Sequence, residues 1–194
     1  MSARTTRAAR KRRIVVGFII SAVTYGLALP VTFALLAESL DNLLRLPQLF
    51  TAGTASILAA ACILIGFVWI TWSYSFIVFV GKGSPVEAFG VALEPTSQLV
   101  TIGPYAYVRH PMVFGFLWVL LGVGFYLRSI SGVILALAGA LAAWAHLVIW
   151  EERGLERRFG EDYVHYRDSV RALIPHLTPY SPPDVTQDRP PAPR

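Results

Sequence analysis

The chain has 194 residues, 55% hydrophobic and 15% charged, with a formal net charge of +5. Its mean hydropathy of +0.54 is too high for a water-soluble domain, and the apolar residues come in long runs, so the composition is that of a small integral membrane protein. A single cysteine, Cys62 inside an apolar run, excludes a disulfide framework or a cysteine zinc cluster; the basic residues gather at the ends of apolar runs, where they orient a membrane protein rather than bind nucleic acid.

Residues 2–13 carry Arg4, Arg7, Arg10, Lys11, Arg12 and Arg13 without an acid, and the run after them, Ile14 to Ala37, is long enough to cross a bilayer. A cleaved signal needs a shorter apolar core and a small-residue cleavage site, so this reads as a retained helix, with Pro30 predicting a kink or an early end. Glu38 to Gln48 reads as a short outer loop. Leu49 to Val80 is a second run, which as one helix is roughly 48 Å long against a hydrocarbon core of roughly 30 Å. It outruns the membrane, with Trp69, Trp72 and Tyr74 expected at the headgroups.

Gly81 to His110 is polar and rich in turn residues (Lys82-Gly83-Ser84-Pro85, Glu94-Pro95-Thr96, Gly103-Pro104), which predicts a long functional loop; its glycines match neither a Walker nor a dinucleotide pattern. Pro111–Leu127 and Ile130–Trp150 predict a helical hairpin, whose second arm carries Ala136, Gly139, Ala140 and Ala143 at spacings that allow close helix approach. Glu151 to Pro175 places Leu155, Phe159, Tyr163, Tyr166 and Val170 three and four residues apart, an amphipathic helix on the membrane face, with Gly160 as a candidate interruption. Residues 176–194, rich in proline, predict a disordered tail.

The expected fold is therefore an all-α integral membrane protein with about four transmembrane helices and a cytoplasmic amphipathic C-terminal helix. Its expected organisation is a basic N-terminus (1–13), two spans (14–80), a core (81–175) and the tail (176–194). Four spans put both termini on one side, and the positive-inside rule makes that side the cytoplasm, leaving Arg45 and Arg128 outside.

On that inner face two clusters are expected to meet. Arg109 and His110 close the long loop at a helix start, where Pro111 fits the first helical position and free backbone N–H groups favour an anionic or polar ligand. Glu151 and Glu152 end the last span, where the helix dipole disfavours acids, which argues for a use other than solvation. His146 reads as a helix-packing residue first and a site residue second; Tyr105 and Tyr107 read as interfacial aromatics, one of which can reach the site; Arg167 and Arg171 read as headgroup contacts that can close the pocket. The histidines and acids show no metal-binding spacing, so no metal is expected.

Gly103-Pro104-Tyr105-x-x-x-Arg109-His110-Pro111-Met112, then Glu151-Glu152-x-x-Leu155-x-x-x-Phe159-Gly160-x-x-Tyr163-x-x-Tyr166 and Ile174-Pro175, resembles the isoprenylcysteine carboxyl methyltransferase and phospholipid methyltransferase superfamily over about residues 80–175. The resemblance implies a membrane enzyme using S-adenosylmethionine in a pocket at the cytoplasmic face. It implies Tyr105, His110, Pro111, Gly115, Glu151 and Glu152 as cofactor contacts, and Arg109, Glu152 and Arg171 as catalytic residues. The implied acceptor is lipophilic or lipid-linked, an isoprenylcysteine-like carboxylate first and a phospholipid or small thiol second. Two positions depart from the pattern: Val113 stands where the family often has tyrosine, and Ala172 where it commonly has arginine, with Arg171 beside it. A non-catalytic membrane scaffold and a metal or haem protein using His110 and His146 are the rival readings.

Overall fold

The computed structural model describes residues 15–16, 19–20, 22–81, 87–88, 91–92 and 98–182. The basic segment 1–13, the polar motifs at 82–85 and 94–96 and the prolines from Pro183 onward lie outside the described residues. The structure is helical: α1 (Leu29–Leu44), α2 (Ala52–Phe79), α3 (Pro111–Tyr126), α4 (Ile130–His146), α5 (Glu152–Phe159) and α6 (Glu161–Ser169). One two-residue antiparallel ladder pairs Glu87–Ala88 with Val91–Ala92 inside the long loop.

Three continuous helical stretches are long and apolar enough to cross a membrane, Thr24–Leu44, Ala52–Phe79 and Ile130–Phe159, and α3 is a shorter apolar helix beside them. Pro30 does not end the first one. The preceding turn, Thr24–Ala28, is a π turn in which the Leu29 N–H donates to Thr24 O, and this widening makes room for the proline ring that an α ladder would clash with. The first helix also runs further than expected. Glu38, Asp41 and Asn42 lie on it, because Arg45 ends it in the left-handed conformation (φ 52°) with Leu46 N donating to Asp41 O at 2.9 Å.

The helix ends away from His110 are tied together. Asp41 Oδ1 accepts from Ser131 N at 3.0 Å, Ser129 caps α4 by accepting from Gly132 N at 2.7 Å, and Arg128 O accepts from Leu49 N at 2.8 Å. α2 and α3 form the closest pair. A Cβ on Gly66 would stand 2.5 Å from Gly115 O, so the two backbones touch where side chains would separate them. Gly139, by contrast, faces open space, whereas Ala136 of the same small-residue stripe is buried.

Two apolar cores result. One joins Phe33, Leu120 and Ala136 of α1, α3 and α4. The other gathers Tyr163, Tyr166 and Val170 with Leu99, Leu155, Phe159 and Tyr180. The periodic apolar residues after Glu151 thus close over the loop by packing on the protein itself. Gly160, in a conformation (φ 60°, ψ −136°) that favours glycine, divides this stretch into α5 and α6. The chain continues in the fold past Pro175: His176 N donates to Tyr107 O and Tyr180 N to Ala106 O, each at 2.8 Å. The expected tail therefore begins too early at 176, because these backbone bonds hold 176–180 against the loop.

Candidate active site

The loop before α3 is rigid where it matters. Gly103–Ala106 makes a single 3-10 turn with Pro104 and Ala106 buried, and Val108 is fully buried behind it. His110 comes next at φ −119°, ψ 64°, outside the helical region as a residue before proline must be, and its carbonyl accepts from Phe114 N at 3.0 Å to open α3.

A second irregularity supplies the acids. Leu147–Glu151 is a π turn between α4 and α5. A π turn carries one residue more than an α turn, which rotates the next stretch of helix by about 100° about the axis. Glu151 ends this turn and Glu152 begins α5, and the two carboxylates flank one imidazole: Glu151 Oε1 lies 3.5 Å from His110 Nδ1, and Glu152 Oε1 3.4 Å from His110 Nε2. Arg109 Nη2 donates to the same Glu152 Oε1 at 2.6 Å. His110 is 6% exposed and Glu152 4%, whereas the Glu151 side chain keeps 29% of its surface.

A strap from the C-terminal side completes the enclosure. Arg109 N donates to Arg171 O at 2.9 Å, His110 N to Ala172 O at 3.1 Å, and Arg109 Nη1 to Arg167 O. Tyr166 Oη donates to Tyr105 O at 2.6 Å, fastening α6 to the loop turn. Beside the strap a cleft of about 440 Å³ is lined by Arg109 and Arg171 on a polar wall and by Trp144, Leu173 and Ile174 on an apolar one.

The electrostatics arise from this packing. Burial alone would strip His110 of its proton, but the hydrogen bonds and charges of Glu151 and Glu152 outweigh it and hold the imidazole above the ordinary histidine range. Burial pushes the phenols of Tyr105 and Tyr163 up, and the charges of Glu151 and Glu152 respectively add to it, so both stay protonated as donors.

Of the residues singled out in the sequence, Arg109, His110, Glu151 and Glu152 converge, and Pro111 is buried at the start of α3 beside them. The Tyr105 phenol lies within the field of Glu151. Arg171 contributes its backbone to Arg109 and turns an exposed side chain toward the cleft. Gly115 lies one turn into α3, where a Cβ would stand 2.7 Å from Gly66 O and 2.9 Å from Trp69 Cβ, so helix packing accounts for its lack of a side chain. His146 stacks on Trp150 with ring centroids 5.3 Å apart. Sequence reasoning missed Tyr163, which is 1% exposed, and the strap beyond Ala172; the Tyr163-x-x-Tyr166 spacing after Gly160 was the available signal.

Among curated proteins none matches the chain. The family model described as phospholipid methyltransferase matches residues 54–162, more than half of the chain, from the first turn of α2 to the second residue of α6. That segment contains both halves of the buried cluster and the helices that carry them. The chain is a membrane methyltransferase by descent, and it belongs to the phospholipid methyltransferase family.

Proposed function

We propose that this protein uses S-adenosylmethionine to methylate a lipophilic acceptor bearing a carboxylate, as an isoprenylcysteine does, at the cytoplasmic face of the membrane. The observation that carries the reading is the cluster in which two carboxylates flank His110, one locked to Arg109 and buried, the other part-exposed. The chemistry of this donor set suits such a cofactor. The part-exposed Glu151 suits an ammonium group, and two buried polar atoms without a partner, Arg109 Nε and Tyr163 Oη, suit ligand oxygens. When bound, the sulfonium supplies an electrophilic methyl group.

The protein's part is positioning and exclusion of water, which in-line displacement chiefly requires. Arg109 and Glu152 fix each other, His110 is held between the acids, and the strap covers the loop. A carboxylate acceptor is already a nucleophile at neutral pH, so no base is needed. The Arg171 guanidinium, which has no partner among the described residues, is available to hold it, with Trp144, Leu173 and Ile174 offering the apolar wall for its tail. An amine-headed phospholipid is the second reading, favoured by the family description, and Glu151 would then receive the amine proton. The cytoplasmic placement rests on Arg153, Arg157, Arg158, Arg167 and Arg171 beside the cluster, against Arg45 and Arg128 at the other end.

The test is methyl transfer from labelled S-adenosylmethionine by purified protein, offered a farnesylated cysteine derivative or phosphatidylethanolamine vesicles. Label released as methanol by alkali, and lost in Arg171→Ala, supports the ester reading; alkali-stable label on the phospholipid replaces it with the amine reading. No transfer and no cofactor binding would leave a non-catalytic scaffold.

A further inference from the structure

We propose that the groove on the exposed side of the helix from Ile149 to Arg157 binds the phosphate of an anionic phospholipid, independently of any methyl donor. The groove has a volume of about 540 Å³ and is lined by Ile149, Trp150, Arg153, Glu156 and Arg157. That is the size of a small-ligand site. It shares no lining residue with the cleft beside the strap.

The place of the groove on one continuous helix points to a lipid. Ile130–Phe159 is unbroken, and its 21 residues from Ile130 to Trp150 include no Asp, Glu, Lys or Arg. That stretch is roughly 31 Å long and matches a hydrocarbon core of roughly 30 Å, so Trp150 comes at the boundary, the level tryptophan prefers. Ile149 is 40% exposed and Trp150 57%, and Leu137 and Leu141 further back on the helix are exposed too, an apolar surface suited to acyl chains. Arg153 and Arg157 follow three and seven residues after Trp150, roughly 4 and 10 Å further along the axis. Helical side chains lean toward the N-terminus, and Arg157 does so here, its Nε donating to Arg153 O at 3.1 Å one turn back. Both cations are thereby drawn toward the headgroup layer that begins at Trp150.

The charges select the headgroup. Glu156, the one acid lining the groove, already accepts from Arg167 Nη1 at 2.8 Å. Arg153 has no side-chain partner among the described residues, and Arg157 uses only Nε on Arg153 O. Two guanidinium groups with N–H donors to spare suit a phosphate, whose oxygens accept from both. A headgroup with its own ammonium finds no free carboxylate here, so phosphatidylglycerol fits better than phosphatidylcholine. A soluble phosphate would use the arginines and leave Ile149 and Trp150 uncovered. Because Glu152 is on the buried side of the same helix, a lipid held at Arg153 and Arg157 braces the element that carries the cluster.

The full-length protein, purified in detergent and stripped of lipid, is titrated with phosphatidylglycerol, with phosphatidylcholine of the same acyl chains and with glycerol 3-phosphate. Bound molecules are counted by native mass spectrometry, and melting temperatures are recorded alongside. Wild type is expected to take up one phosphatidylglycerol at least roughly 10-fold more tightly than phosphatidylcholine, and to melt higher with it. Arg153→Gln combined with Arg157→Gln should weaken phosphatidylglycerol binding roughly 10- to 30-fold and leave phosphatidylcholine binding as in wild type. Arg45→Gln, at the opposite end of the helices, should keep the preference. Equal affinity of wild type for the two lipids overturns the site, as does a preference that survives in the double variant. Glycerol 3-phosphate bound as tightly as the lipid makes this a soluble-phosphate site, and a dimer lost in the double variant makes it a contact between copies; either overturns the lipid. Should the double variant not fold, Arg153→Gln alone decides, since its side chain is exposed and unpaired: an undiminished preference overturns the site. None of these readouts needs S-adenosylmethionine, so failure here is distinct from failure of the methyl-transfer reading.

Discussion

Arg109 and Glu152 are each other's counter-charge where water has little access, and the cost of separating them exceeds the benefit of the pair itself. Glu152→Gln leaves the guanidinium buried with only carbonyl partners and should lower stability by about 3–5 kcal/mol in a denaturant titration of the solubilised protein. The double replacement Arg109→Met with Glu152→Leu should recover most of that loss while cofactor binding stays absent, separating the pair's structural part from its functional one. His110 makes the cluster pH-dependent with a definite sign. Because its folded pKa is raised above the ordinary value of 6.5, its ion pairs contribute full stability below about pH 6.5, and that contribution is lost as pH rises through the higher folded value. The stability gap between wild type and His110→Gln should therefore shrink from pH 6 toward pH 9; a gap that widens over that range would mean the imidazole is held neutral.

At the scale of elements, two devices decide whether the acids and the loop meet, and they differ in how visible they are in sequence. Arg109-His110-Pro111 is legible because proline constrains its neighbour by local sterics, and the structure has His110 and α3 as that rule requires. Pairing with Glu151 and Glu152 was expected from acids at the end of a span, but the helix runs through them to Phe159, so the end that argument needed is not there. The π turn at Leu147–Glu151 was not legible, because its residues are ordinary helix formers and the extra residue is set by tertiary packing. Gly115 is a related case: a glycine one turn into α3 is compatible with a ligand and with a neighbouring backbone, and the approach of Gly66 supplies the second reason. Deleting Val148 should remove the extra residue, turn the carboxylates by about 100° and abolish S-adenosylhomocysteine binding in a protein that still inserts and purifies. The glycines give a paired test. Gly66→Ala puts a methyl 2.5 Å from Gly115 O and should cost about 1–3 kcal/mol in thermal or denaturant unfolding, whereas Gly139→Ala meets nothing within 4 Å and should cost none.

For the whole molecule, unequal helix lengths set the depth of the site. α2 has 28 residues, about 42 Å, and exceeds a hydrocarbon core of roughly 30 Å; α3 has 16, about 24 Å, and falls short of it. α3 begins at Pro111 near the level of Trp69, which meets Phe114 at 5.1 Å, and α2 continues ten residues past Trp69 to Phe79. Trp72 of α2 meets Tyr107 at 6.1 Å, so the tryptophans expected at the headgroups share one level with the site loop. On the proposed reading, a site at that level would take a soluble cofactor from the cytoplasm and an acceptor from the lipid. The proposed orientation can be read with single cysteines, since the natural Cys62 is buried in α2 and gives little background. Arg45→Cys should react with a membrane-impermeant maleimide in intact cells, and Arg153→Cys only after the membrane is opened. The reverse pattern would put the cluster on the face that S-adenosylmethionine does not reach, and the methyl donor would then have to be sought elsewhere.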